Sequence, residues 1–417
     1  LDFLIINAYS YHNAGDAAIM LSTRALLRDL GARRVRVSSR YADRESYRIH
    51  GVEPVEEILP YPERGVVAPA VRLLTLLLAT VGALIVIALA RFSSRAARLS
   101  AAVFARRALR LVDEDTVIAI AGGGYMYSSR RKVNLGLLQC LVSIRLGRAL
   151  GAGTVMLPQS IGPIHRPFDA WLIRWSLRGT TPVARELVSV EASTTPLRLP
   201  ALTVVPDVAF YGSICETSHQ EARRASQVAR IVVMDWSWSS SVSSGAFDDY
   251  KHRVAEFADR LATRGWTVVL GGHSSLPDHG QDDIAIAREI AQLMTSPAAI
   301  DADTSVAHLE TAYRSVGIVI GTRLHSCIMA LTQGTPAVAL AYQEKSRGVL
   351  KVAGLSALVQ DVDSISVSAL VDLVDLAMQS DPAARAKEAK ATIHRYYSAA
   401  LEGRISLAAH PAVTVGA

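Results

Sequence analysis

The sequence predicts an α/β protein made of two doubly wound domains that face each other across a cleft. Three observations lead to this expectation. Short β-rich runs alternate with helical patterns, the rhythm of parallel sheets built from βαβ units. The rhythm runs twice, and the polar stretch "GSICETSHQEARRASQ" at 212–227 reads as a linker between the two series. The chain has 417 residues, 50% hydrophobic and only 6% aromatic, enough for two or three ordinary cores.

In the first series "FLIIN" (3–7) reads as a strand, followed by a helix from about Asp16 to Leu30. "RVRVSS" (34–39), "TVIAIAGGG" (116–124), "TVMLPQS" (154–160) and "LTVVPD" (202–207) read as further strands. The second series comprises "RIVVMD" (230–235), "WTVVLGG" (266–272), "VGIVIG" (316–321) and "PAVALAY" (336–342), again separated by helical patterns. The expected division is an N-terminal domain over 1–212, with an apolar and basic insertion at 66–110, and a C-terminal domain over 228–381. A helix at 382–402 is expected to return to the first domain, ahead of a loose tail at 403–417.

The formal net charge of +6 is local. From Arg64 to Arg110 there are eight arginines, no lysine and no acid; without them, 36 basic residues face 38 acidic ones. A nucleic-acid partner is not expected, because Lys and Arg are not spread over the fold with aromatics between them. Cys140, Cys215 and Cys327 lie far apart with no CxxC pair. That argues against a disulfide framework or a zinc site and suits a reducing cytoplasm. No cleavable signal pattern opens the chain, and residue 1 falls in an apparent strand, which leaves room for a trimmed start.

One segment breaks the rhythm. "LLTLLLATVGALIVIALA" (73–90) has 18 residues without a charge between Arg72 and Arg91, about 27 Å as a helix. A single membrane crossing would put strands 3–7 and 34–39 on one side and 116–121 on the other, although one sheet is expected to hold them all. The expectation is therefore monotopic. The apolar run dips into one leaflet, or returns through "RFSSRAARLSAAVFARRALR" (91–110), whose arginines lie on an anionic membrane surface. The ordinary alternative is a buried core helix. On the monotopic reading the protein is cytoplasmic, peripheral or monotopic at the inner face of the cell membrane.

Ligands of open α/β sheets bind at strand C-terminal ends. The first such turn lies in "NAYSYHNAGDAAIM" (7–20), where Asn13 and Gly15 suit a tight turn and Asp16 a helix N-cap. A well-capped helix explains it fully; the functional reading is backbone amides close to an anionic or sugar ligand. "AGGGYMYSSRR" (121–131) has three glycines, Gly123 and Gly124 among them, that permit close backbone approach. It is neither GxGxxG nor a Walker loop, so neither a dinucleotide nor ATP is expected. "LPQSIGP" (157–163) repeats the theme with Gln159 and Ser160. Arg185 reads ordinarily as a solvated or ion-paired side chain, and Asp207 as a turn cap.

"GTRLHS" (321–326) is the most specific stretch. Gly321 ends a strand, and Thr322 suits the cap of a helix whose first turn holds Arg323, Leu324 and His325. A helix N-terminus attracts anions. Arg323 adds a fork for carboxylate or phosphate, and His325 a proton donor or acceptor near neutral pH. Lys345 and Arg347 in "AYQEKSRG" (341–348) are expected on the same rim. No metal constellation is visible; "GGHSSLPDHGQDD" (271–283), with His273 and His279, reads as a mobile loop.

Taken together, these pieces resemble the polysaccharide pyruvyl transferase family. The matching stretches are "NAGDAAI" (13–19), "AGGGYMY" (121–127), "LPQSIGPI" (157–164), "ARELVSVEA" (184–192), "PDVAF" (206–210), "GTRLHSCIMALTQGTPAVALAY" (321–342) and Lys345. They run in family order over most of the chain. The resemblance implies two Rossmann-like domains in a GT-B-like arrangement. It implies transfer of a pyruvyl group from phosphoenolpyruvate to sugar hydroxyls, usually as a cyclic ketal; together with the membrane expectation above, the acceptor expected is a cell-envelope polysaccharide or a lipid-linked glycan. Phosphoenolpyruvate is then a co-substrate, and no cofactor or metal is implied.

On that resemblance His325 is the general acid, Arg323 and Arg185 hold carboxylate and phosphate, and Lys345 helps phosphate depart. Leu324 accompanies them in the motif. Asn13, Gly15 and Asp16 would face the acceptor or its diphosphate from the opposite domain. Gly123, Gly124, Gln159 and Ser160 complete the expected substrate contacts. Three features depart from the family pattern: Arg185-Glu186 replaces a usual Arg-Asp pair, Ala17 stands where an acid is common, and the chemistry does not need the 66–110 insertion.

Two other readings remain open. A glycosyltransferase using a nucleotide sugar should offer an acid to the ribose, and "TRLHSCIMALTQGTP" offers none. A non-catalytic membrane-associated scaffold in glycan assembly would need 66–110 but neither Arg323 nor His325.

Overall fold

The computed structural model describes residues 1–403 except 40, 61–67, 129–133, 152, 195–197, 200–201, 215–225, 238–244 and 277–280. Most of the expected linker at 212–227, His279, Cys215 and the expected tail from 404 lie outside the described residues. The chain divides into two compact units. Leu1–Tyr11, Ile19–Val208 and the chain from His394 form the first; His12–Ala18 and Ala209–Ile393 form the second.

The first unit holds a five-stranded parallel sheet of β1 (Asp2–Ala8), β2 (Arg34–Ser39), β3 (Glu53–Val55), β4 (Thr116–Ile120) and β6 (Gly153–Met156), in the order β3-β2-β1-β4-β6. β4 is buried along its whole length, which is why it reads as a continuous apolar run rather than an alternating one. The strand order reverses between β1 and β4, so the crevice beyond their C-terminal ends is a topological switch point. After β4 the chain passes Gly122 into β5 (Gly123–Met126), and after β6 it passes Pro158 into β7 (Gln159–Ile161). With β8 (Val183–Ala184) and β9 (Thr203–Val204) these form a second parallel sheet, β5-β7-β8-β9.

The chain crosses from β3 to β4 through α2 (Pro69–Leu89), α3 (Ser94–Phe104) and α4 (Arg106–Leu111), following α1 (Ala14–Asp29) earlier in the chain. β1 pairs directly with β4, Asp2 opposite Thr116, so strands on both sides of α2 share one sheet. A lone bilayer crossing by α2 is incompatible with that pairing. α2 buries Leu76, Gly82, Ala83, Val86 and Ile87. Gly82 lets the Phe104 carbonyl come within 2.6 Å of where a Cβ would stand. The other face is solvent-exposed leucine and valine, so α2 is not the buried core helix of the ordinary alternative. It is long and apolar enough to cross a membrane by length and composition. Among the described residues, α5 (Leu135–Leu150), α6 (Pro167–Leu177) and α7 (Leu187–Thr194) are the remaining α-helices of this unit up to Val208.

The second unit is built on a six-stranded parallel sheet. Its strands are β10 (Val228–Val232), β11 (Thr267–Gly271), β14 (Ala299–Asp301), β15 (Ile318–Gly321), β16 (Ala337–Ala341) and β17 (Val359–Asp361), in the order β14-β11-β10-β15-β16-β17. A short antiparallel pair, β12 (Ser275–Leu276) and β13 (Gln281–Asp282), follows β11. The helices are α8 (Ala246–Thr263), α9 (Asp283–Leu293), α10 (Val306–Ser315), α11 (Leu324–Thr332), α12 (Glu344–Val352), α13 (Val367–Met378) and α14 (Pro382–Leu401). Here the order reverses between β10 and β15. α14 belongs to the second unit as far as Ile393; beyond that, in the first unit, the buried Tyr397 hydroxyl donates to the Met156 carbonyl at 2.7 Å.

Candidate active site

In the second unit Arg323 and His325 follow β15, one of the two strands that flank the switch point. The N-cap of α11 is Arg323, with no side-chain cap. Thr322 does not cap the helix as expected, because its hydroxyl is taken by the Tyr250 hydroxyl at 2.8 Å. The close packing of Gly321 against Ser326 and Cys327 turns the strand sharply into the helix. Burial pushes the Cys327 thiol up to about 12, which removes it as a nucleophile at neutral pH.

Asp283 organises this end of the sheet. Its carboxylate is fully buried and accepts from Arg323 Nε at 2.9 Å and Nη2 at 2.7 Å. The same carboxylate accepts from the backbone N–H of His273 at 3.0 Å and of Ser274 at 2.9 Å. Burial opposes the Arg323 charge, but Asp283, Tyr342 and Asp16 together outweigh it and hold its pKa above the ordinary value. The fork is thus spent on a protein carboxylate along one edge, and a ligand would meet the Nη1 edge.

The turn held by Asp283 in turn holds residues 12–14. Ala14 N–H donates to the His273 carbonyl at 2.8 Å, and Asn13 forms an isolated bridge with Ser274. Asn13, not Asp16, caps α1: its Oδ1 accepts from the N–H of Gly15 at 3.2 Å and of Asp16 at 3.4 Å. Asp16 sits in the first helical turn. A Cβ on Gly15 would stand 2.5 Å from His325 Nδ1, so the imidazole lies directly on this glycine. The Asn13–Asp16 turn therefore belongs with Arg323 and His325 in one unit, not opposite them. The reason is the pairing of residues 12–14 with 273–275, which the local sequence does not encode.

Behind the turn, His273 is 1% exposed and its Nε2 is hydrogen-bonded to the Tyr313 hydroxyl, with the two rings stacked. Burial, and then the charges of His325, Arg323 and Arg230, keep its pKa well below the ordinary imidazole value. Arg230 is buried and pairs with Asp301 at 2.6 Å, and Asp301 also accepts from His308 at 2.6 Å. Lys345 lies in the first turn of α12, after β16, so it shares the C-terminal edge of the sheet with Arg323 and His325. Leu324 opens α11 and is half-buried.

A second cluster lies in the first unit. Arg185 Nε donates to Ser160 Oγ at 2.7 Å and Nη1 to Asp207 at 2.6 Å, with Glu186 3.6 Å away. Asp207 is thus an ion-pair partner rather than a turn cap, and all three charged groups are buried. Glu186 also accepts from Ser160 at 3.1 Å and from Ser189, whose hydroxyl accepts from the Ile161 N–H. A Cβ on Gly124 would stand 3.3 Å from Arg185 Nη2, so the glycine leaves room for the guanidinium. Gly123, with φ +124°, pairs with Gln159 across β5 and β7. Gln159 is fully buried, and neither polar atom of its side chain has a partner among the described residues. A buried amide with four open hydrogen-bonding positions has room in its bonding for a water or another polar group.

Sequence reasoning missed three residues. Asp283 and His273 fall in the stretch that reads as a mobile loop, although the acid at a helix start is a usable signal. Asn7 adopts φ +65° at the end of β1 and bonds the Tyr125 hydroxyl at 3.2 Å. Asparagine tolerates that region better than most residues, and here it ties the end of β1 to Tyr125. Among the described residues no group of three His, Cys, Asp or Glu side chains is placed to hold a metal.

Comparison with known proteins adds three findings. The chain is 28% identical over 131 residues to the amylovoran biosynthesis protein AmsJ of Erwinia amylovora, a match spanning 30% of this chain and 32% of that protein. It is similar in fold to Alr3699/HepE from Anabaena, solved with UDP, at TM-score 0.53 and 12% identity, covering 97% of this chain and 100% of that one. A glycosyltransferase from Rickettsia africae superposes at TM-score 0.50 and 11% identity, covering 97% and 94%. These likenesses establish the GT-B type of fold, two Rossmann-like units. The family model of the polysaccharide pyruvyl transferases matches residues 13–344, which include Asn13, Arg185, Asp283, Arg323 and His325, and the chain belongs to that family.

Proposed function

We propose that this polysaccharide-modifying transferase moves a pyruvyl group from phosphoenolpyruvate to two hydroxyls of a cell-envelope polysaccharide or lipid-linked glycan, forming a pyruvate ketal. The observation that carries the proposal is His325, laid on the Gly15 backbone beside an arginine that Asp283 fixes in place. The family membership supports the substrate class, and the pairing of an imidazole with an arginine supports the chemistry.

The reaction needs a proton at the CH2 carbon of phosphoenolpyruvate while C2 becomes electron-poor. His325 delivers that proton. A sugar hydroxyl oxygen bonds to C2, the C2–O bond to phosphate breaks, and a second hydroxyl closes the ring. Of the two hydroxyl protons displaced, one replaces the proton given by His325 and one leaves with phosphate. Arg323, through its Nη1 edge, and Lys345 stabilise the carboxylate and the departing phosphate. Asn13, Gly15 and Asp16 position the reacting group against the imidazole. Arg185 and the Gln159 amide, which has no partner among the described residues, are the polar groups the first unit brings to substrate recognition, with Ser160, Gly123 and Gly124 beside them. We also propose that the protein works at the cytoplasmic face of an anionic membrane, with α2 lying in the interface.

The test is a donor and acceptor screen read by phosphate release and product mass. Phosphoenolpyruvate with a glycan acceptor should give a ketal, and UDP-sugars should give no nucleotide release. His325→Gln should lower kcat between about 10²- and 10⁴-fold with the fold intact. Nucleotide release from a sugar donor, or full activity in His325→Gln, would overturn the proposal.

A further inference from the structure

The first unit carries a charge cluster that the transfer chemistry does not use. Arg91, directly after α2, Arg145 and Arg148 on α5, and Arg178 and Gly179 after α6 line a cleft of ≈ 530 Å³. No acid lines it. Arg145 and Arg148 both donate Nη1 to the Arg178 carbonyl, at 3.1 and 2.8 Å, which holds the guanidinium groups together. Gly179, at φ +78°, packs against Arg148 where any side chain would collide with the guanidinium. Burial, and then Arg148, Arg91 and Arg178, depress the Arg145 pKa. Its buried Nε has no partner among the described residues. Like charges gathered without a counter-charge are costly unless an anion joins them, and guanidinium forks match phosphate.

The surroundings say where that phosphate comes from. On α2, Leu74, Leu78 and Val81 are 56%, 65% and 57% exposed, on a helix whose apolar run ends at Arg91. On the other side Arg145 lies 5.4 Å over the Trp175 ring, Trp175 stacks on Trp171, and Trp171 on Phe168. Phe168 and Trp171 are about half exposed. Exposed leucines, half-wet aromatics and arginines are the parts of an interfacial anchor, with the cations at headgroup depth.

We propose that this arginine cleft binds the phosphate of an anionic lipid headgroup in the membrane on which α2 lies. The proposal rests on the membrane-facing reading of α2 and not on the transfer reaction. The full chain is sedimented with vesicles of phosphatidylcholine alone or with added phosphatidylglycerol. The exposed pair is replaced in R91Q/R178Q, and the α2 face in L74S/L78S. R91Q/R178Q should bind the anionic vesicles about 30-fold more weakly and keep wild-type binding to neutral ones. L74S/L78S should weaken both. R253Q/R264Q, two exposed arginines of the second unit, should change neither.

An unchanged anionic preference in R91Q/R178Q overturns the cleft as a lipid site, whatever α2 does. Unchanged binding by L74S/L78S overturns the reading of α2. Arginine-dependent binding of free inorganic phosphate or diphosphate, without vesicle binding by the wild type, overturns the lipid as occupant. Transfer to a soluble glycan acceptor by R91Q/R178Q at the wild-type rate keeps the result separate from the catalytic proposal.

Discussion

The imidazole of His325 rests on the backbone of Gly15, so closely that a methyl group there would stand 2.5 Å from Nδ1 and 2.8 Å from Cγ. Two motifs more than three hundred residues apart in the sequence therefore meet in one contact. Gly15 is in the first turn of α1, where alanine is a better helix former than glycine by up to about 1 kcal/mol. Gly15→Ala should leave the melting temperature nearly unchanged and turn the ring aside. Misplacing a reacting group by such a distance costs about 10²-fold, so kcat should fall by that order. Thermal melting and steady-state kinetics on the same variant check it; unaltered kcat would reduce the contact to packing.

Asp283 and Arg323 form a bidentate pair in which the carboxylate is wholly buried and also serves two backbone N–H groups. Removing one partner of such a pair strands the other in a poorly solvated place. Asp283→Asn should cost about 3 kcal/mol, the low end for a broken buried pair because the amide keeps one acceptor. It should also lower kcat, since the turn that seats Ala14 loses its anchor. Denaturant unfolding should show a lower midpoint with an unaltered slope. Arg323→Lys should lose activity comparably, because an ammonium cannot span both oxygens.

The fold class was legible because its signals are local. Parallel strands buried on both faces leave runs such as "IVIG" in β15 and "TVIAI" in β4, and helical periods separate them. His325 and Arg323 were legible for the same reason, at the junction of a buried strand and a helix. What escaped depends on partners far away in sequence. The capping role of Thr322 was lost to Tyr250, 72 residues upstream. Asp207 turned from a turn cap into the partner of Arg185, and Asn13 displaced Asp16 as the cap of α1. The seating of residues 12–14 on the 273–275 turn needs a pairing across some 260 residues, and no window of the sequence contains it.

Arg185 divides its fork between Ser160 and Asp207, and Glu186 closes the group from behind. Arg185→Lys keeps the charge but can reach only one of the two acceptors at a time. On the role proposed for Arg185, the expected outcome is a raised KM with a smaller change in kcat, the mark of a contact made equally in the ground state and the transition state. Glu186→Asp tests the departure from the family pattern. The shorter side chain withdraws from Ser189 and Ser160, which should cost about 1–2 kcal/mol. Equal kinetics for Arg185→Lys and wild type would remove Arg185 from substrate binding.

His273 supplies a pH dependence of stability whose sign follows from its burial. The folded protein holds the ring neutral, because burial and the neighbouring His325, Arg323 and Arg230 oppose a second charge there. The unfolded chain protonates it at the ordinary value of about 6.5. Below that pH the unfolded state binds the extra proton and the native state does not, so stability falls as pH falls, by up to about 1.4 kcal/mol per unit. Above it both states are neutral and the contribution is flat. Unfolding free energies measured by denaturant at pH 7.5 and 5.5 should therefore drop more in the wild type than in His273→Gln, by about 1 kcal/mol. Other groups titrate over the same range in both proteins and cancel in the difference. Identical drops would mean that the ring takes up its proton equally well folded and unfolded, which its burial against Tyr313 does not permit.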